Sequence, residues 1–175
     1  MQLRSLALAW GFGGGVVAGL VMVVPELASH PGGGRLAAYG GLAAGLIAVH
    51  LGTRAAARVD ASFGARLGNA TLLAASVSLL VGLSLYGLFA RLRPGLLAER
   101  FSAYQHSVAV SGAPAERIAR ELGRLAASEP KYLDAGYQAL SSASTLFFFS
   151  MLLAGYGAWR AHLVRRLRRR APGQR

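Results

Sequence analysis

The chain has 175 residues, a length that suggests one domain, and 54% of them are hydrophobic while only 15% are charged. A soluble domain carries ~25% charged residues, so this composition predicts a membrane protein. Cysteine is absent, which excludes disulfides, thiolate metal sites and cysteine nucleophiles. The net charge of +12 indicates either topology-setting arginines or a nucleic-acid partner; we favour the first and predict no nucleic-acid binding, because most basic residues flank apolar runs.

The first apolar run covers residues 6–24, follows Arg4 and ends at Pro25 and Glu26. At ~1.5 Å per residue it is about long enough to cross a ~30 Å hydrocarbon layer. A cleaved signal peptide is the alternative, but its apolar region would have only ~7–15 residues and precede a small-x-small cleavage site, which the segment PELASH does not offer. We therefore predict an uncleaved spanning helix.

Three further runs are predicted to span the membrane. A turn-rich connection of Pro31, Gly32, Gly33 and Gly34 precedes the second run, which is mostly Ala and Gly and is the least hydrophobic. The three runs cover residues 36–53, 67–90 and 137–159. The predicted fold is therefore all-α: one membrane domain over residues 1–175, an integral membrane four-helix bundle.

Arginine is distributed asymmetrically across these spans. It is frequent after the second span and in the basic tail, residues 160–175, whereas the first connection holds only Arg35. The positive-inside rule then places both termini in the cytoplasm. Together with a composition typical of GC-rich bacterial genomes, this predicts a multi-pass protein of the bacterial inner (plasma) membrane. Its tail is expected to bind anionic lipid in the bilayer through Arg165, Arg166, Arg168, Arg169 and Arg170.

The segment from about 91 to 136 is too polar to span and is predicted to form an extracytoplasmic helical hairpin between the third and fourth spans. One apolar stripe with helical spacing consists of Leu97, Phe101, Tyr104 and Val108. A second stripe consists of Ile118, Leu122 and Leu125. The seven basic residues of this segment count against this orientation, but long segments translocate largely regardless of their charge, and this one also holds five acids.

The second helix of this hairpin has predicted ends and predicted ion pairs. Pro114 is expected in its first turn, where a missing N–H costs nothing, and Pro130 is expected to end it. On its exposed face the i,i+4 spacing predicts two ion pairs, Glu116 with Arg120 and Arg117 with Glu121.

Glycines spaced four apart occur in the first two spans. Gly11, Gly15 and Gly19 form one set and Gly41 and Gly45 another. Small residues at this spacing let helices approach closely in lipid. A homodimer face is one interpretation; we favour packing within one chain, or chance in a glycine-rich sequence.

No catalytic, cofactor-binding or metal-binding residue is predicted, and we predict that the protein is not an enzyme. The four histidines, His30, His50, His106 and His162, are scattered without metal-ligand spacing. The middles of the spans hold no ionisable acid or base, which disfavours ion-coupled transport. His50 and Asn69 are interpreted as interfacial or interhelical hydrogen-bonding groups, and the span serines as groups that bond their own helix backbone.

The order of features resembles a known family. A glycine-rich first span, Phe63-Gly64 before the third span, and the stretch SGAPAERIARELGRLAASEPKY are similar to the bacterial membrane protein family catalogued as domain of unknown function 4199. That family has no established activity, cofactor or catalytic residue. The resemblance therefore implies only four spans with an insertion between the third and fourth.

Three functions are compatible with these features. The first is a structural or accessory protein of the bacterial inner membrane, acting through lipid, a homo-oligomer or a membrane protein partner. The second is a small permease or channel acting as an oligomer, and the third, least favoured, is a membrane-embedded enzyme. A pathway or active site should gather His50, Asn69 and several serines around one cavity, whereas an accessory bundle should scatter them.

Overall fold

A computed structural model describes residues 2–28, 33–59 and 62–170, and these residues form helices joined by short turns. The all-α prediction is confirmed. The elements are α1 Gln2–Leu27, α2 Gly33–Ala57, α3 Phe63–Gly87, a π-helical turn Leu88–Leu92, α4 Leu96–Ala109, α5 Ala115–Leu133 and α6 Ala135–Arg170.

Three stretches within the described residues are long and apolar enough to cross a membrane: Leu3–Leu27, Phe63–Leu92 and Ala135–Leu167. They contain three of the four predicted spans. The other predicted span, 36–53, lies inside α2, which does not meet the same criterion.

Glycines set how the long helices run past one another. A Cβ on Gly11 would lie 2.6 Å from the Cβ of Ser76, and one on Gly15 would lie 2.8 Å from the Cβ of Leu80, so α1 and α3 are in close contact and run in the same direction. Gly19 continues this series. The first glycine set therefore packs within the chain, the interpretation we favoured.

Helices α2 and α6 run opposite to α1 and α3. Gly52 lies against Trp10, near the start of α1, whereas Gly41 lies against Met22, near its end. The rings of Phe63 and His162 are 5.4 Å apart, so the start of α3 meets the last part of α6. We call the end of the molecule that holds the start of α1 and the last part of α6 the tail end. The opposite end, where α1 ends and α4 begins, is the insertion end.

Large apolar side chains fill the middle of these helices. Val49 comes from α2 and Leu146 from α6, and both are fully buried in one cluster with three residues of α3, namely Leu73, Val77 and Val81. Because these side chains exclude water, the centre between the helices is packed rather than open.

Helices α4 and α5 contact each other at the insertion end. The turn between them contains Gly112, whose φ of 69° lies in the left-handed region. Glycine adopts this conformation at little cost because it has no Cβ. Of the first predicted stripe, Leu97 and Phe101 are buried, Val108 is half-buried and Tyr104 is exposed. The second stripe, Ile118, Leu122 and Leu125, is half-buried.

Several predicted helix ends were wrong. Helix α1 passes Pro25 and ends at Leu27, since contacts from α4 and the preceding turn hold Glu26 in place. Helix α5 passes Pro130 to end at Leu133, because the Tyr132 ring packs 5.1 Å from that of Phe101. Gly33 and Gly34, predicted as turn, are the first residues of α2, while Pro31 and Gly32 lie outside the described residues.

The ends of α5 and α6 also need correction. Pro114 precedes α5 as its N-cap rather than lying in its first turn. The predicted fourth span, 137–159, is part of a longer helix that continues through the basic tail to Arg170, as the high helix propensity of arginine allows. The predicted ion pairs of α5 do not form in the described structure; Glu121 instead lies 3.4 Å from Arg124, three residues on.

Candidate functional site

A buried carboxylate lies at the insertion end. Glu26, in the last turn of α1, is only 8% exposed, and its carboxylate is paired with the guanidinium of Arg100 on α4. Arg100 is 32% exposed and its guanidinium also lies 5.9 Å from the centre of the Phe89 ring. The pair joins residues 74 positions apart and therefore fixes α4 to the end of α1.

A second arginine reinforces this connection. Arg93, just before α4, donates a hydrogen bond of 2.8 Å to the backbone carbonyl of Glu26 and forms a 2.8 Å ion pair with Glu99. This carbonyl belongs to the last turn of α1, where helix carbonyls lack partners in the helix itself. The two arginines therefore satisfy both the side chain and the backbone of Glu26.

A cavity of about 120 Å³ lies beside this ion pair, and every helix contributes to its wall. We call it the insertion-end cavity. Its polar lining consists of Glu26, Arg100, Tyr132, Gln138 and Ser142. Its apolar lining consists of Met22, Ala38, Leu85, Leu88, Phe89 and Leu97.

Some hydroxyl groups of the long helices bond their own helix backbone, and others, including one at this cavity, have no partner within the described residues. Backbone bonding was predicted for six span serines: Ser76, Ser78, Ser84, Ser141, Ser142 and Ser144. Of these, within the described residues, Ser76 and Ser84 donate to the carbonyl four residues earlier and the other four do not. Thr53 and Thr145 donate in the same way. Within the described residues, the hydroxyls of Tyr132 and Ser142 have no hydrogen-bond partner. Gln138 donates one long bond, 3.4 Å, to the Lys131 carbonyl, and its amide oxygen has none in the same residues. The cavity thus presents unused hydrogen-bonding groups.

The arrangement of the last helix brings these groups together. Asp134 is the single residue between α5 and α6. Its carboxylate accepts a 2.9 Å hydrogen bond from the backbone N–H of Tyr137. This cap starts α6 directly after α5. Tyr132 from the end of α5 and Gln138 and Ser142 from the start of α6 therefore line the same cavity.

The polar residues considered from the sequence do not meet at one place. His50 is exposed, whereas Asn69 is buried near the tail end and lines a separate, much smaller cavity with Thr53 and Arg66. The Asn69 side-chain oxygen has no hydrogen-bond partner in the described structure. Ser78 and Ser150 are also buried without partners. Of the span serines, only Ser142 lines the insertion-end cavity.

Two arginines at the tail end bind backbone carbonyls near the end of α2. Arg66 donates 2.9 Å to the carbonyl of Val59, and Arg165 donates to the carbonyls of Ala57 and Val59 at 3.2 and 3.0 Å. The Ala57 carbonyl is the last of α2 and the Val59 carbonyl lies two residues further on, at the helix end where the helix dipole favours a positive charge. The arginines thus join α3 and α6 to the end of α2.

Neither Glu26 nor Arg100 was predicted as a functional residue from the sequence. The available signal was an acidic residue directly after an apolar span in a chain with only seven acids. Its partner Arg100 is 74 positions away in the sequence, so the pair can be recognised only once the fold is known. Within the described residues no three His, Asp or Glu side chains are grouped to hold a metal ion.

No protein-family model, curated protein or solved structure matches the chain. The resemblance to the family catalogued as domain of unknown function 4199 stays a prediction.

Proposed function

We propose that the chain is a small structural or accessory protein of the bacterial inner membrane, crossing it four times with both termini in the cytoplasm. Its partner is lipid together with a membrane protein or a second copy of itself. The observation that carries this proposal is the packed apolar centre. Val49, Leu73, Val77 and Leu146 are at most 1% exposed, and the larger polar clusters lie at the two ends.

The length of α2 and its packing against α1 support the proposed fourth membrane crossing. Its 25 residues correspond to about 37 Å at ~1.5 Å per residue, enough for a ~30 Å hydrocarbon layer. It packs along α1 from Trp10 to Met22, so it reaches the same depth as a helix that is apolar enough to span. Its modest hydropathy comes from the small Ala and Gly residues that make this contact.

The charge distribution supports the orientation and the lipid partner. The exposed arginines at the tail end include Arg54, Arg58, Arg160 and Arg166. Each basic residue near an anionic leaflet contributes about 1 kcal/mol to membrane attraction. At the insertion end, Arg93 and Arg100 are paired with carboxylates, and the exposed basic residues Arg91, Arg117, Arg120 and Lys131 lie in or next to the long inserted segment, which translocates largely regardless of its charge. The positive-inside rule then favours a cytoplasmic tail end.

Two measurements test this function. Purified full-length protein in liposomes should give no flux of potassium ions or small polyols above protein-free liposomes, because the centre is packed.

In native membranes, a photo-crosslinking residue at exposed apolar positions such as Phe12, Leu79 and Phe148 should yield a defined adduct from one face and none from the others. An adduct twice the mass of the chain identifies a second copy. Measurable flux without any adduct would contradict the proposal and favour a permease or channel.

A further inference from the structure

The insertion-end cavity has no uncompensated charge. Glu26 is paired with Arg100, and Arg93 with Glu99. An anion at this site would compete with the buried Glu26 for Arg100, and a cation would compete with Arg100 for Glu26. Breaking a buried ion pair leaves one charge uncompensated, which is costly. The cavity therefore disfavours ligands with a net charge.

Hydrogen-bonding capacity does remain. The Tyr132 and Ser142 hydroxyls can each donate and accept, and the Gln138 amide oxygen can accept. None of these three groups has a partner within the described residues. The cavity volume of about 120 Å³ leaves room for several waters or for a small polyol group.

The rest of the cavity lining is apolar and suits a carbon chain attached to a hydroxyl-bearing group. Met22, Leu85 and Leu88 are buried, and Phe89 adds an aromatic wall. Leu88 and Phe89 belong to the π-helical turn, closed by a 2.7 Å bond from the Arg93 N–H to the Leu88 carbonyl. Such turns interrupt α-helices frequently at functional sites.

We propose that the insertion-end cavity binds an uncharged, hydroxyl-bearing group, such as the glycerol head of a neutral lipid or a soluble polyol of the same chemistry. Tyr132, Gln138 and Ser142 bind the hydroxyls, and the apolar wall contacts the carbon chain. The Glu26–Arg100 pair holds α4 over the site and excludes charged heads.

The test uses the full chain in phosphatidylcholine nanodiscs. Dioctanoylglycerol, free glycerol and dioctanoyl phosphatidylglycerol are titrated separately, with binding followed by native mass spectrometry and by the thermal unfolding midpoint. We expect dioctanoylglycerol to bind saturably, one molecule per chain. If glycerol alone binds equally well, the site takes a soluble polyol, and the proposed chemistry still holds.

Conservative variants test whether the ligand binds at these residues. Tyr132→Phe and Ser142→Ala each remove one hydroxyl and should weaken binding about three- to tenfold, as expected for the loss of one hydrogen bond. The matched controls are Tyr137→Phe and Ser144→Ala, at exposed positions that do not line the cavity. They should bind like the parent. The proposal is overturned if neither dioctanoylglycerol nor glycerol binds saturably, if the controls weaken binding equally, or if phosphatidylglycerol binds more tightly in a Tyr132-dependent way.

Discussion

Helices α1 and α3 approach through glycines that leave no space for a Cβ, whereas α4 and α5 are held at the insertion end by a few large side chains and one ion pair. Gly11 and Gly15 place α1 against α3 along their length. In α4 only Leu96, Leu97 and Phe101 are buried, and in α5 no residue is. The long helices therefore form one close-packed unit, and the α4–α5 pair depends on individual contacts that single substitutions can break.

The largest effect is expected at Phe101, which is 4% exposed. Replacing a buried phenylalanine by alanine costs about 3–5 kcal/mol, and Phe101→Asp should cost at least as much because it also buries a carboxylate. We expect the α4–α5 pair to detach while the long helices stay folded. Protease added to the side of the membrane that carries the α4–α5 pair should then cut within α4 or α5. The control is Tyr104→Asp, an exposed position on the same helix, which should resist cleavage like the parent.

The second prediction concerns the long helices themselves. A side chain at Gly15 would collide with Leu80, so Gly15→Leu should force α1 away from α3 and destabilise the protein by about 3 kcal/mol, the upper end of typical overpacking costs. The matched control is Gly13→Leu, because nothing lies within 4 Å of a Cβ at Gly13. Thermal unfolding in detergent should separate the two variants. Equal midpoints would mean that the glycines do not hold the helices together.

The third prediction concerns the ion pair that joins the two regions. Removing one partner of a fully buried pair costs about 3–5 kcal/mol. Because Arg100 is partly exposed and glutamine keeps a hydrogen-bond acceptor, Glu26→Gln should cost about 1–2 kcal/mol. The control, Glu99→Gln, alters an acid that is 60% exposed and should cost less. Unfolding of the purified variants in bicelles measures the loss in free energy of unfolding for both substitutions. A larger loss for Glu99→Gln would place the main connection at Arg93 instead.

The smallest effect is expected on the exposed face of α5. Arg117 is exposed and makes no ion pair in the described structure, so Arg117→Ala should change the free energy of unfolding by less than about 0.5 kcal/mol. Protease resistance should match that of the parent. A marked loss of resistance would show that the predicted pair with Glu121 forms in the membrane.

Apolar runs predicted the positions of the long helices, but the sequence was less informative about where they end. Proline was expected to stop α1 at Pro25 and α5 at Pro130. Both helices continue because tertiary contacts beyond the proline, from Arg93 to Glu26 and from Phe101 to Tyr132, stabilise the last turn. Such contacts come from distant parts of the chain and leave no local signal.

The candidate site could be predicted only in part. The unequal distribution of arginine was visible in the sequence, but which arginines meet carboxylates and which meet helix carbonyls depends on how the helices pack. Arg100 lies beside Glu26, whereas Arg165 lies beside the end of α2. The insertion-end cavity is built from six helices and the π-helical turn, and the spacing of no single helix indicates it.

The central claim is that α2 crosses the membrane, so that the two ends of the molecule face opposite compartments. The chain has no cysteine, so single cysteines can be introduced at three exposed positions: Ala28 after α1, Arg58 after α2 and Ser111 between α4 and α5. A membrane-impermeant maleimide should label the cysteines at 28 and 111 in intact spheroplasts and the cysteine at 58 only after lysis. If the cysteines at 28 and 58 are labelled alike in intact spheroplasts, α2 does not cross the membrane and the four-span account is wrong.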